Sequence, residues 1–223
     1  MNKVGILTYD SKHLKTEQIA INILNRKDVS EIVLFSQPFK DRKKRKILIQ
    51  HRPKQELGIH TRDLSNIDGI NFVSWDGKSK PYGCDYYIIG GAGIIPSSAI
   101  EDNKIINVHP GIIPSARGLD AFKWAIKNMI PIGISMHYID AQVDEGTVIK
   151  IFKTPLFSND TISTYVKRHY DLEINITSNF LDFVSYEDNS EYPRLNANMR
   201  MPYRVEEELN TIFQEYKKNF SYK

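Results

Sequence analysis

Apolar positions along this chain follow two rhythms, and the alternation between them predicts the fold. Val4-Gly5-Ile6-Leu7 is a short unbroken apolar run, the pattern of a strand buried on both faces. Ile19, Ile23 and Leu24 then recur at helical spacing, and a second apolar run follows at 31–36 (EIVLFS). Strand, helix, strand at this spacing predicts a βαβ unit and a parallel sheet. Runs at 70–75 (INFVSW), 85–91 (DYYIIGG) and 105–109 (IINVH) add three strands. Residues 1–110 therefore read as the open, doubly wound half of an α/β protein.

Beyond residue 110 the pattern changes. Ala121, Phe122, Ala125, Ile126 and Met129 form a helical stripe, while 132–140 (IGISMHYID) and 147–157 (TVIKIFKTPLF) read as strands joined through DAQVDEG. Ser158-Asn159-Asp160 is expected to cap a long helix whose stripe runs Ile162, Tyr165, Val166, His169, Leu172, Ile176, Phe180, Phe183. A last amphipathic helix carries Val205, Leu209, Phe213, Tyr216 and Phe220. The expected organisation is one α/β domain over 1–185, with an open, mostly parallel sheet, and a short C-terminal helical extension over 186–223.

Composition narrows the class. With 223 residues, 41% of them hydrophobic, the chain can bury a sizeable core, and a net charge of +3 is far from that of a polycation. One cysteine, Cys84, excludes an internal disulfide framework and suits a reducing compartment. No window has the length of a membrane span, so a cytoplasmic protein is expected. Charge is concentrated at 40–54 (KDRKKRKILIQHRPK), which holds eight Lys/Arg against one Asp. No aromatic stacking platform accompanies it, which argues against single-stranded nucleic acid. A solvated loop and a contact with an anionic group such as a nucleotide's phosphates both remain open.

Candidate chemistry gathers at strand ends. GGAG (90–93) lacks the G-x-G-x-x-G spacing and does not follow the first strand, so a nicotinamide site is not expected; it would let a planar ligand lie close to the chain. Of the six histidines, His13, His51 and His60 sit in polar surroundings, and His169 and His137 read as hydrogen-bonded core residues. No Cys/His spacing suggests a metal site. His109 differs: it ends a strand, shares a side with Asn107 two residues earlier, and precedes a rigid Pro-Gly turn. Asp144 lies downstream in a glycine-bounded loop (VDEG), four residues after Asp140. Strand ends facing one crevice are where open α/β sheets place ligands, which makes Asn107, His109 and Asp144 a candidate joint site.

NVHPGIIPSARG followed by GISMHYIDAQVDEG resembles the folate-dependent formyltransferases, a family that includes glycinamide ribonucleotide, methionyl-tRNA and sugar N-formyltransferases. Asn107, His109, Pro114, Gly118, Gly133, Ser135, His137, Asp144 and Gly146 follow that family's order. The resemblance implies a Rossmann-like formyltransferase fold, 10-formyltetrahydrofolate as co-substrate and an amine as acceptor, with no metal. It implies that Asn107 and protonated His109 donate to the oxyanion formed when the amine attacks the formyl carbon, while Asp144 favours the imidazolium and takes up the amine's proton. Ala92, Gly93, Ile94, Ile95, Asp140, Val143 and Asp144 are implied to hold the pterin and formyl group, with Ser135 and His137 as buttresses.

The acceptor is narrowed by departures from the family. Glycinamide ribonucleotide enzymes have a Gly/Ser/Asn-rich turn after the first strand that cradles a phosphate, and this chain has TYDSKHLKT there. Methionyl-tRNA enzymes have a full RNA-binding domain after the catalytic one, against the 38 residues from 186 to 223 here. A nucleotide-linked amino sugar is the expected acceptor, with Tyr9, Trp75, Tyr82, Arg117 and the basic run as candidate contacts. The alternatives are glycinamide ribonucleotide and a non-catalytic basic binding protein on the same fold. The amphipathic tail leaves a homodimer open.

Overall fold

A computed structural model describes residues 1–39, 45–100, 104–140 and 146–222. Seven strands form one sheet in the order β3-β2-β1-β4-β5-β6-β7. The unbroken apolar run near the N-terminus becomes β1 (Asn2–Asp10), lying between β2 (Val29–Pro38) and β4 (Tyr86–Ile89), with β3 (Ile70–Ser74) outside β2 and β5 (Ile105–His109) beside β4, all parallel. β6 (Gly133–Tyr138) and β7 (Val148–Lys153) then run antiparallel. The open, mostly parallel α/β sheet expected from the periodicity is the sheet found.

Each strand face has its own core. Ile6, Leu34, Ile88, Ile106, Val108, Ile134 and Met136 pack on one side beneath α1 (Leu14–Leu24) and α4 (Ile162–Ser178). Leu7, Phe35, Trp75, Tyr87 and Ile105 pack on the other, beside the short α2 (Ser97–Ile100). A third cluster joins α3 (Ala121–Lys127) and the first turns of α4 to the C-terminal segment, where α5 (Tyr203–Glu206) and α6 (Leu209–Phe220) replace the single helix expected. Leu209, Phe213 and Tyr216 are almost wholly enclosed there, so the tail shares its core with α3 and α4.

Three boundaries differ from the sequence reading. α4 is capped by Thr161, whose side chain and that of Thr164 each accept the other's backbone N–H; Asp160 instead takes Phe157 N–H, Thr164 Oγ1 and the Arg168 guanidinium. Phe180 and Phe183 lie beyond the helix, Phe180 opening a 3₁₀ turn that ends at Asp182. β7 ends at Lys153, two residues before Pro155, which has no N–H to continue a ladder. The outer side of β7 is closed by Asp188: its N–H donates to Val148 O (3.1 Å) and its carboxylate accepts Ile151 N–H (3.0 Å). Among the described residues no helix is long and apolar enough to cross a membrane, and no group of His, Cys, Asp and Glu is arranged to hold a metal.

Candidate active site

The site begins with strand alternation. Asn107 and His109 project from one face of β5 and stand opposite His137 and Ser135 of β6. His137 is buried, and its Nδ1 donates to Tyr138 O (3.2 Å), so its Nε2 holds a lone pair that accepts from Asn107 Nδ2 (3.2 Å). One amide hydrogen of Asn107 is thereby fixed, and the other is left to point away from His137. Ser135 Oγ accepts Ile113 N–H (2.9 Å), pinning the turn after β5.

His109 is 5% exposed, and its Nε2–H donates to Ala116 O (2.7 Å), which fixes the orientation of the ring. Gly111 makes this arrangement sterically possible. A β-carbon there would stand 2.2 Å from Ala116 O and 2.8 Å from His109 Nε2, so any larger residue would push the ring and its acceptor apart. Asp144 and Val143 lie outside the described residues.

At the carboxyl end of β1, the turn into α1 is filled from within. His13 caps the helix: its Nδ1 accepts Thr16 N–H (3.3 Å) and lies 2.7 Å from Thr16 Oγ1. Lys15 N–H donates to Gln55 Oε1 (3.0 Å), Glu17 N–H to His13 O (3.1 Å), and Gly58 packs directly over Leu14 N. Gly90 and Gly91 are needed by this same contact, since β-carbons there would meet Thr16 Oγ1 at 2.7 Å and His13 Cε1 at 2.7 Å. Two glycines of GGAG therefore serve helix packing. Gly93 has open space around it, and Ile94 is 86% exposed. In the chain, half-buried Ala92 and buried Ile95 flank this exposed backbone, and Asp140, after β6, is exposed.

The candidate acceptor contacts divide. Tyr82 is 79% exposed, and half-buried Tyr9 packs edge-on against His13 and Phe39. Trp75 is a core residue whose indole N–H donates to Ser79 O (2.8 Å), so it offers no open ring face. Arg117 is also buried and donates to Leu195 O (2.9 Å), holding the tail against the turn that follows β5.

Residues 3–181 match the family model described as formyl transferase. The chain belongs to the formyl transferase family. Phosphoribosylglycinamide formyltransferase of Bacillus subtilis is 35% identical over 71 residues, which are 31% of this chain and 36% of that protein. The match thus spans about a third of that relative's own length. A sugar N-formyltransferase of Shewanella sp FDAARGOS_354 shares the fold with a TM-score of 0.57 at 17% identity, over 89% of this chain and 76% of its own. PseJ of Anoxybacillus kamchatkensis, solved with UDP-4,6-dideoxy-4-formamido-L-AltNAc and tetrahydrofolate, gives 0.51 at 18% identity over 85% and 84%.

In this formyl transferase family member His13 and His51 carry no role in the sequence reading, and Arg52 enters it only as part of the basic run 40–54. His13 is buried, and enclosure, then the charges of Lys15 and Arg52, lower its pKa to about 4. His51 is also enclosed and lowered well below the usual histidine range by burial, with Arg52 and Lys123 adding to it. Arg52 itself is exposed and donates from Nε to His51 Nε2 (3.3 Å). Polar neighbours in the sequence hid these roles: His13 caps the helix that follows it, and His51 lies 3.8 Å from Asp120, far along the chain. His169 is the hydrogen-bonded core histidine expected, with Nδ1 2.7 Å from Thr154 Oγ1.

Proposed function

We propose that the chain transfers the formyl group of 10-formyltetrahydrofolate to the amine of a small cytoplasmic acceptor, and that the acceptor is a nucleotide-linked amino sugar. Asn107 offers its second amide hydrogen, and protonated His109 a ring N–H, to the oxyanion at the formyl carbon. His137, Ala116 and Gly111 hold those two donors in place, so little reorganisation is needed as charge develops. Asp144 is assigned the amine's proton. The exposed backbone at 93–94 is assigned to the pterin.

One observation carries the choice of acceptor. A phosphate cradle at a helix N-terminus needs free backbone N–H groups, and in α1 those of Lys15, Thr16 and Glu17 are already bonded within the chain. That favours an acceptor whose anionic part lies elsewhere over glycinamide ribonucleotide, and the nucleotide-linked sugar held by the Anoxybacillus protein illustrates the class.

The test is release of tetrahydrofolate from 10-formyltetrahydrofolate in the presence of nucleotide-linked amino sugars and of glycinamide ribonucleotide. Turnover with an amino sugar alone is expected, and turnover confined to glycinamide ribonucleotide would reverse the assignment. Asn107→Ala and His109→Ala should each lower kcat by about 10²–10³-fold, the usual loss on deleting one oxyanion donor. Rates within a few-fold of wild type in both variants would refute the mechanism.

A further inference from the structure

The segment 45–58 runs to the start of α1, and its course is held at both ends by polar contacts. At the near end stands Glu206 of α5, 2% exposed. One of its oxygens pairs with the buried Lys123 ammonium of α3 (2.5 Å), and the other accepts the N–H groups of Leu48 (2.6 Å) and Ile49 (3.1 Å). Ile49 is buried in the α3–α4–α6 cluster, and Lys46 lies over the Tyr203 ring at 4.3 Å. At the far end Gln55 Oε1 accepts Lys15 N–H of α1 (3.0 Å). Burying a carboxylate with an ammonium stabilises a fold less than an apolar pair would, so this clamp reads as a device for placing the segment.

Between these two anchors lies Arg52, whose Nε donates to His51 Nε2 (3.3 Å) three residues before Gln55 takes Lys15 N–H at α1's N-terminus. Its charge also acts on His13 there and on His169, Tyr170 and Glu173 of α4. The fixed charges around it are already matched. Lys15 pairs with Glu173 (2.5 Å), Lys123 with Glu206, and Arg200 lies 3.9 Å from Asp120. Among the described residues no carboxylate forms an ion pair with Arg52, so its charge is left unmatched near α1's N-terminus. His13 adds a neutral donor: since its Nδ1 accepts from Thr16 N–H, its hydrogen is on Nε2, which meets no acceptor among the described residues.

We propose that Arg52, with the Nε2–H of His13, receives the phosphate-bearing part of the acceptor, and that Glu206 is the positioning residue that holds Arg52's segment for it. The proposal rests on the acceptor reading above and moves the phosphate contact from the helix N-terminus to this segment. It also moves it from the cluster at 42–46 to a single arginine. Glu206 touches no substrate; it acts through the backbone of Leu48 and Ile49.

Titration calorimetry with inorganic pyrophosphate and with UDP tests it on the full chain. Wild type should bind both, and Arg52→Gln should weaken both by roughly tenfold or more, the loss of a charge-assisted contact. Glu206→Gln should weaken them too, yet add nothing in the Arg52→Gln background, because it acts only through Arg52. Should Glu206→Gln fail to fold, the paired Lys123→Met, Glu206→Met variant removes the clamp without stranding a charge. A lower Tm with unchanged affinities would make Glu206 merely structural and overturn its role. Absence of wild-type binding at millimolar probe would overturn the site. In turnover, Arg52→Gln should raise the acceptor KM and leave the folate KM alone. Amino-sugar turnover indifferent to Arg52→Gln would sink this inference and leave the function standing. Arg52-dependent pyrophosphate binding with no amine formylated would do the reverse.

Discussion

Stability of this fold should fall steeply as pH drops from 6.5 toward 4, and enclosed histidines set the size of the effect. His169 is fully enclosed against Thr154 and Phe122, and burial brings its pKa down from 6.5 to about 4. His13 is lowered to the same value, and His51 is lowered as well. An unfolded chain protonates these rings near pH 6.5, whereas the folded chain keeps them neutral. Their contribution is therefore fully present above pH 6.5 and is lost as pH falls toward 4. Each ring held neutral down to about pH 4 accounts for about 3 kcal/mol over that interval. Near pH 5, His13 and His169 together give a slope of roughly 2 kcal/mol per pH unit. Glu173, whose carboxyl is held below the ordinary range chiefly by Lys15 and Arg52 against the cost of its burial, adds to the loss only at lower pH. Urea unfolding at half-unit steps from pH 7.5 to 4.5 measures the slope, and His169→Gln should remove about 1 kcal/mol per pH unit of it. A flat profile between pH 7 and 5, or an unchanged slope in His169→Gln, would refute the assignment of neutral rings.

Gly111→Ala should lower kcat on the order of 10²-fold by displacing His109 from Ala116 O, with folate affinity retained in a binding titration. Phe213→Ala should cost about 3–5 kcal/mol in urea unfolding, and the chain should still unfold in one transition; an early separate transition would show the tail to be its own unit. Lys15→Met strands the Glu173 carboxylate and should cost about 3–5 kcal/mol, most of it recovered in Lys15→Met, Glu173→Leu, as measured by the urea midpoint.

Strands were legible because their apolar runs are continuous and short: Val4–Leu7 and IINVH needed no tertiary context to declare themselves. Asn107 and His109 were legible for a related reason, since alternation on a strand places them on one face wherever the strand lies. The Thr161 cap was harder to read, because Asp160 is an equally good cap by residue type and is drawn away by Arg168, eight residues on. Trp75 and Arg117 looked like ligand contacts because residue type says nothing of burial; the partners that enclose them, Ser79 O and Leu195 O, are backbone atoms with no sequence signature. Glu206 was invisible for the same reason, as its partners are a lysine 83 positions away and two backbone amides.

The sheet has two rims, and among the described residues only the β3 rim is left without a partner beyond it. Along β7, Asp188 both gives and takes a hydrogen bond, imitating one residue of an eighth strand and closing the ladder there. β3 at the opposite rim pairs within the sheet with β2 alone. A body with one receptive rim can be extended once by a stray strand but cannot pass the pairing on, because growth into a fibre requires two. Asp188 thus makes each molecule a chain terminator for edge-to-edge assembly, a protection that involves neither the core nor the chemistry at the strand ends.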